Sequence, residues 1–348
     1  MSSFDPAPST LGEVLDPAWL EAMLAPNWPG AKVTEVMVVE LLATQATKAR
    51  IRLTIEGGRD APSHLCIKGV LTDTGAVPAA SIVETLFYRE AAASLPVTVP
   101  HCIHASLDAG RSRGVIVMQD VIAAGGSFCT ALEPFTPEQA LDGLEQLARL
   151  HAATWGGSIA QPTPWVVSFL DRISHQPIMP LETLQALLDG TRGARLDPAV
   201  RDAARLQRAL ERLAVEVRAG PSCFVHGDAH AGNVYRRADG ELGLVDWQIL
   251  QIGNWAQDVA YHLAAVLSPE DRRQHERSLL DDYLARLTAA GGPDLDREQA
   301  WRQYRTAVVY GYYLWSITRK VDADIIDEFV HRLGTAAHDL DSFALLGA

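Results

Sequence analysis

Cys223-Phe224-Val225-His226-Gly227-Asp228-Ala229-His230-Ala231-Gly232-Asn233-Val234, followed by Leu244-Val245-Asp246-Trp247-Gln248, is the stretch on which the reading of this chain turns. Two apolar, strand-like runs joined by a turn at Ala238-Asp239-Gly240 carry three oxygen-bearing side chains, Asp228, Asn233 and Asp246. A carboxylate at Asp228 can accept, or orient, the proton of a hydroxyl. The amide oxygen of Asn233 and the carboxylate of Asp246 are hard donors of the kind Mg²⁺ takes in small number from protein. Phosphoryl transfer from ATP needs such a set, because its catalysis is mostly positioning and neutralisation of phosphate charge.

Working outward, the 348 residues leave room for about two domains. With 48% hydrophobic and 21% charged residues the chain reads as globular rather than disordered. A net charge of −13 argues against nucleic acid and anionic membranes as partners. No apolar run approaches the roughly 18–20 residues that span a bilayer. The first residues, Met1-Ser2-Ser3-Phe4-Asp5-Pro6, do not read as a signal peptide, and a cytoplasmic location is expected. Four cysteines, Cys66, Cys102, Cys129 and Cys223, stand far apart and read as reduced core residues.

Residues 33–42, 49–55, 64–70, 99–105 and 114–118 carry strand patterns, and 79–95 reads as a helix. Asp16-Pro17 opens a short capped helix before them. Beyond Ala123-Ala124-Gly125-Gly126-Ser127 the pattern turns helical, starting at a capping pair, Thr136 and Gln139. Further helices are expected over 180–188, 198–219, 258–267, 269–289, 297–318 and 324–337. The expected fold is therefore α+β and bilobal: a small β-rich N-lobe over 1–120 and a larger, mainly helical C-lobe over 121–348.

Only Lys32, Lys48, Lys68 and Lys320 are lysines, so Lys68 inside Leu65-Cys66-Ile67-Lys68-Gly69-Val70 stands out. It can reach nucleotide phosphates if a carboxylate orients it, and Glu84 is favoured over Glu90 for that task. The plain alternative is an exposed lysine guarding a sheet edge. Between the first two strands, 40–50 has no glycine and no phosphate-binding Gly-x-x-x-x-Gly-Lys pattern. Thr44 and Thr47 are the candidate phosphate contacts there, with an ordinary hairpin loop as the alternative.

His226, Asp228 and His230 would share one face of a strand, the arrangement of a metal-dependent hydrolase, but Gly227 and Gly232 favour a loop. His151, on an apolar helix face, reads as a satisfied core histidine. Asp258 either braces the Asp228 loop or caps a helix. Trp301, Tyr304, Tyr312, Tyr313 and Trp315 make an aromatic helix, mainly core, that can wall an acceptor pocket.

These residues resemble the aminoglycoside phosphotransferase and choline kinase family, with the ecdysteroid-kinase-like branch nearest. The resemblance rests on His226-Gly227-Asp228-x-His230-x-x-Asn233, on Val245-Asp246-Trp247-Gln248 and on Leu147-Ala148-x-Leu150-His151-Ala152. Glu84-x-x-Phe87-Tyr88-Arg89-Glu90 and a hinge at Val117-Met118-Gln119-Asp120-Val121 support it. It implies a protein-kinase-like fold, Asp228 as catalytic base, Asn233 and Asp246 as Mg²⁺ ligands, and Lys68 on ATP with Glu84 as its partner. Met118, Gln119, Asp120 and Val121 would offer hinge backbone to adenine. The chain departs from the family in its glycine-free loop. The expected activity is ATP- and Mg²⁺-dependent phosphorylation of a hydroxyl on a small organic molecule, a lipophilic or aromatic alcohol being favoured. An aminoglycoside- or choline-type acceptor would call for an anionic pocket, for which Asp322, Asp324, Asp327 and Glu328 are candidates. A catalytically silent nucleotide-binding protein is the remaining alternative.

Overall fold

Alternating apolar residues make the first part of the chain a sheet, and a computed structural model shows how it is arranged. The structure describes residues 7–43, 46–71, 80–108, 110, 113–157, 159 and 163–348. Five antiparallel strands run in the order β1-β2-β3-β5-β4: β1 (Lys32–Ala43), β2 (Thr47–Glu56), β3 (His64–Gly69), β4 (Cys102–Leu107) and β5 (Gly114–Gln119). Two short helices, α1 (Leu11–Val14) and α2 (Pro17–Leu24), precede them. Asp16 accepts from Ala18 N at 2.7 Å and Pro17 takes the first helical position, so α2 starts where expected. Val14, Leu20, Met23 and Leu24 bury against Val33, Ala49, Ile51, Leu53, Leu65, Ile67 and Val117. That apolar burial is the principal term holding helices and sheet together.

With Leu65 and Ile67 spent on this core, the period of two turns Lys68 to the other face of β3. There α3 (Ala80–Leu86) supplies Glu84, and the chain continues as a π turn, Phe87–Ala91, in place of the single helix expected over 79–95. A Cβ on Gly114 would lie 2.1 Å from Thr85 Oγ1, so the bare glycine lets α3 approach β5 closely.

The second unit is helical. Its elements are α4 (Pro137–Ala153), α5 (Phe169–His175), α6 (Leu181–Asp189), α7 (Ala203–Ala219), α8 (Ala256–Val266), α9 (Pro269–Ala289), α10 (Arg297–Ile317), α11 (Ala323–Asp339) and α12 (Ser342–Leu345). Two small sheets interrupt them: β7 (Cys223–Val225) pairs with β10 (Gln251–Gly253), while β6 (Ser127–Phe128), β8 (Val234–Arg236) and β9 (Leu242–Leu244) form the other. Every residue of α8 is buried, packed against α4, α9, α10 and α11. Asn254 Oδ1 caps it by accepting from Ala256 N at 3.0 Å, and Gln257 Oε1 returns a bond to Asn254 N at 2.9 Å. Asp258 is therefore not the cap. Among the described residues no helix is long and apolar enough to cross a membrane.

The units divide as Met1–Ser94, Val99–Ser127 and Arg237–Gly240 against Leu95–Thr98, Phe128–Arg236 and Glu241–Ala348. The changeover at 127/128 lies beyond the residue-120 boundary read from the sequence. Asp120 Oδ1 holds Ile122 N and Ala123 N at 2.9 and 3.2 Å, and Gly126 N donates to Val121 O, which ties the intervening turn to the sheet. Thr98 joins the helical unit because Gln146, Glu241 and Leu244 N all bond to it.

Candidate active site

One helix face builds the Asp228 loop. Asp258, Tyr261 and His262 recur at the three- and four-residue spacing that stacks side chains on one side of α8. Asp258 Oδ2 accepts from His226 N at 2.6 Å and Oδ1 from Gly227 N at 2.8 Å. Tyr261 donates its hydroxyl to Asp228 Oδ1 at 2.9 Å, and His262 Nδ1 lies 3.0 Å from Ala229 O. Four successive loop residues are thus held by three residues of a fully buried helix. His151 Nε2 donates to Asp258 Oδ2 at 3.1 Å while its Nδ1 accepts from Tyr283 Oη at 2.8 Å. It is the satisfied core histidine expected from its helix face, and it braces the brace. A buried carboxylate is tolerable only when so fully bonded.

The loop geometry needs Gly227. Its φ is +81°, and an added Cβ would stand 2.5 Å from Ile249 O. The turn brings Asp228 N onto His226 Nδ1 at 3.2 Å, and His226 Nε2 donates to Val245 O at 2.9 Å. Both ring nitrogens of His226 are therefore spent on main chain, and the ring packs edge-on to Trp247 with centroids 4.5 Å apart. Burial pushes its pKa down, which keeps it neutral. A His226–Asp228–His230 metal face, as a hydrolase would require, does not form.

Asn233 completes the site. Its Nδ2 donates to Asp228 O at 2.9 Å and to Asp228 Oδ2 at 3.0 Å, which leaves Oδ1 as the amide's remaining donor atom. Val245 N donates to Asn233 O at 2.9 Å, extending the β8–β9 ladder by one step past Val234↔Leu244. Asp246 follows that bonded pair directly in the chain, and its charge bears on Asp228. Asp246 sits in the left-handed region with φ +65°, a conformation that costs a non-glycine residue about 1–3 kcal/mol and gathers at functional sites. The side chain of Asp228 remains 29% exposed, so it can still meet a ligand. Burial would raise its pKa, but His230 beside it outweighs that and the net displacement is downward. Asp228 is accordingly an anion at neutral pH. Oxygens of Asn233 and Asp246 match the hard-donor preference of Mg²⁺.

In the sheet unit, Lys68 Nζ lies 2.6 Å from Glu84 Oε2, both side chains nearly buried, so Glu84 rather than Glu90 is its partner. Thr47 opens β2 opposite Gly69, one position from the Lys48↔Lys68 pair. Thr44 lies outside the described residues. Met118 and Gln119 pair in β5 with Cys66 and Leu65. The carboxylate of Asp120 is committed elsewhere: Oδ2 accepts from Arg50 Nε at 2.9 Å and Oδ1 holds the turn. Main chain here is bonded as well: Asp120 N donates to His64 O at 3.2 Å, Asp120 O accepts from Ala124 N at 3.0 Å, and Val121 O accepts from Gly126 N at 2.9 Å.

Asp228 and Asn233 bond to one another in the helical unit, where the charge of Asp246 bears on Asp228, and Lys68 meets Glu84 in the other. A family model described as the phosphotransferase enzyme family matches residues 79–305, which include every one of these except Lys68. The chain belongs to the phosphotransferase enzyme family. Membership makes it a small-molecule kinase. A Thermobifida fusca protein assigned as a fructosamine-3-kinase is 19% identical, with a TM-score of 0.50 over 92% of this chain and 98% of that one. A microcompartment-associated aminopropanol kinase is 13% identical, with a TM-score of 0.52 over 93% and 97%. A choline/ethanolamine kinase family protein from Mesorhizobium loti is 15% identical, with a TM-score of 0.47 over 94% and 97%. At such identities the likeness of this phosphotransferase to the first two is one of fold. No curated protein matches it.

Tyr261 escaped the sequence reading. Its signal was present: a hydroxyl three residues after Asp258, on a helix otherwise composed of apolar side chains, histidine and glutamine.

Proposed function

We propose that this phosphotransferase moves the γ-phosphate of ATP to a hydroxyl of a small organic molecule, in the cytoplasm, with Mg²⁺. One observation carries the reading: Asp228 is an anchored, partly exposed carboxylate whose own anchor, Asn233, is bonded through Val245 to the strand end bearing Asp246. When bound, the Mg²⁺–nucleotide would supply an electrophilic phosphoryl group with its charge neutralised. Asn233 Oδ1 and Asp246 are the groups that would hold the metal. Asp228 orients the acceptor hydroxyl and takes its proton. Lys68, held by Glu84, contributes positive charge for the phosphates, Thr44 and Thr47 are the candidate phosphate contacts of the loop between the first two strands, and the main chain over 118–121 serves the adenine.

A lipophilic or aromatic alcohol is favoured as acceptor over a polycation. Glu328 is already paired with Arg195 at 2.7 Å and with Arg332 at 2.8 Å, so it is not a free anion for an amine. Aromatic rings, Trp315 and Phe329, pack instead beside His230. A panel of neutral, aromatic and amino alcohols, with ADP release as readout, tests the proposal. Turnover with an alcohol supports it, and a preference for polycationic amines refutes the acceptor class. ATP binding without turnover of any alcohol would favour a silent nucleotide binder.

A further inference from the structure

Asp228, Asn233 and Asp246 account for the proposed transfer and leave His230 without a task, yet its ring is held by a hydrogen bond and by aromatic packing. Its Nδ1 accepts from Gly232 N at 3.0 Å. Its ring meets Trp315 edge-on at 5.0 Å, Phe329 at 5.1 Å and Tyr261 at 6.1 Å between centroids, and Trp315 and Phe329 pack on each other at 4.1 Å. Two consequences follow. The ring cannot turn without breaking this packing. Because Nδ1 accepts, the proton of the neutral ring resides on Nε2.

Nε2 lies 3.5 Å from Asp228 Oδ2, just outside hydrogen-bond contact. Asp228 already receives the Tyr261 hydroxyl on Oδ1 and the Asn233 amide on Oδ2. A carboxylate offers about four lone-pair positions, so a third donor would leave one direction for a hydroxyl. We infer that His230 is a positioning residue whose Nε2–H closes on Asp228 Oδ2 and fixes the lone pair that receives the acceptor proton. The inference rests on the function proposed above. A general base contributes about 10²- to 10⁴-fold, and a small misplacement forfeits a large part of that.

A purely structural task, capping the Ala231–Asn233 turn through Nδ1, is separable by substitution. An asparagine oxygen can take the Gly232 N–H but puts no donor at the Nε2 position, whereas glutamine reaches that far with its amide. The assay is hydrolysis of Mg-ATP with water as acceptor, for wild type, His230→Asn, His230→Gln and His230→Ala with and without imidazole, against Asp228→Asn as the baseline. His230→Asn should keep the fold, with a melting temperature lowered by the lost ring packing, and the KM for ATP, but lose roughly 10- to 100-fold in the kcat that depends on Asp228. His230→Gln, or imidazole added to His230→Ala, should restore the larger part. Wild-type kcat in His230→Asn overturns the inference, as does failure of both glutamine and imidazole to restore it. Nitrogen-15 NMR of labelled histidine gives a reading independent of turnover: the neutral ring must carry its proton on Nε2, and a proton on Nδ1 overturns the inference even where a variant fails to fold. A wild type no faster than Asp228→Asn removes the catalytic reading itself, and the task of His230 with it.

Discussion

Replacing Asp258 by asparagine should cost this phosphotransferase both stability and turnover, although Asp258 touches neither proposed ligand. Its two oxygens accept three bonds, from His226 N, Gly227 N and His151 Nε2. An asparagine keeps one oxygen and turns an NH₂ toward the other donors. One charge-assisted bond is then lost, at about 1.5–3 kcal/mol, and the other two fall to neutral bonds worth about 1 kcal/mol less each. A main-chain N–H is also stranded in a fully buried place, for a further ~1–3 kcal/mol. Because these terms overlap, the loss should be about 3–5 kcal/mol, the range found when one partner of a buried charged network is removed. For a domain of the helical unit's size that lowers Tm by roughly 10 °C. Calorimetry on wild type and variant, with ATP turnover measured below both transitions, provides the assay. A Tm within about 2 °C of wild type with full turnover would refute the bracing of the loop by α8.

Other outcomes follow from the same geometry. Glu84→Gln leaves the Lys68 ammonium buried without its counter-charge, so the KM for ATP should rise roughly 10-fold, and an unchanged KM would show that the pair does not serve nucleotide. Gly227→Ala pushes a Cβ against Ile249 O at a φ of +81°, so turnover should fall by more than ~100-fold, and a variant within twofold of wild type contradicts the loop geometry. Stability should also decline in acid. His226 and His262 have pKa values lowered by burial, so both are neutral when folded and take protons more readily when unfolded. Their contribution is complete above the unfolded value near ~6.5 and is lost as pH falls toward the folded values, at up to about 1.4 kcal/mol per pH unit for each. Urea midpoints that stay flat between pH 7 and 5 would contradict this.

How much of the molecule the sequence discloses depends on how local each cause is. Strand alternation, the Asp16-Pro17 start and the glycine-punctuated Asp228 loop are written within a few residues, and the structure agrees with them. Glu84 could be chosen over Glu90 because only two carboxylates on one helix competed for Lys68. What was not legible depends on distant partners. Asp258 read equally well as a cap, because nothing local reveals that its carboxylate meets main chain more than thirty residues earlier, at His226 and Gly227. Asp120 read only for its hinge backbone, and nothing local shows that Arg50, seventy residues away, takes one of its carboxylate oxygens. The π turn after Glu84 has no local marker that we can name.

The transfer of phosphate from ATP, measured side by side with nucleotide binding in wild type and Asp228→Asn, tests the central claim most directly. The account predicts that the variant folds and binds Mg-ATP with nearly unchanged affinity, while transfer to the best alcohol drops at least ~100-fold. Equal transfer rates in the two proteins would contradict it.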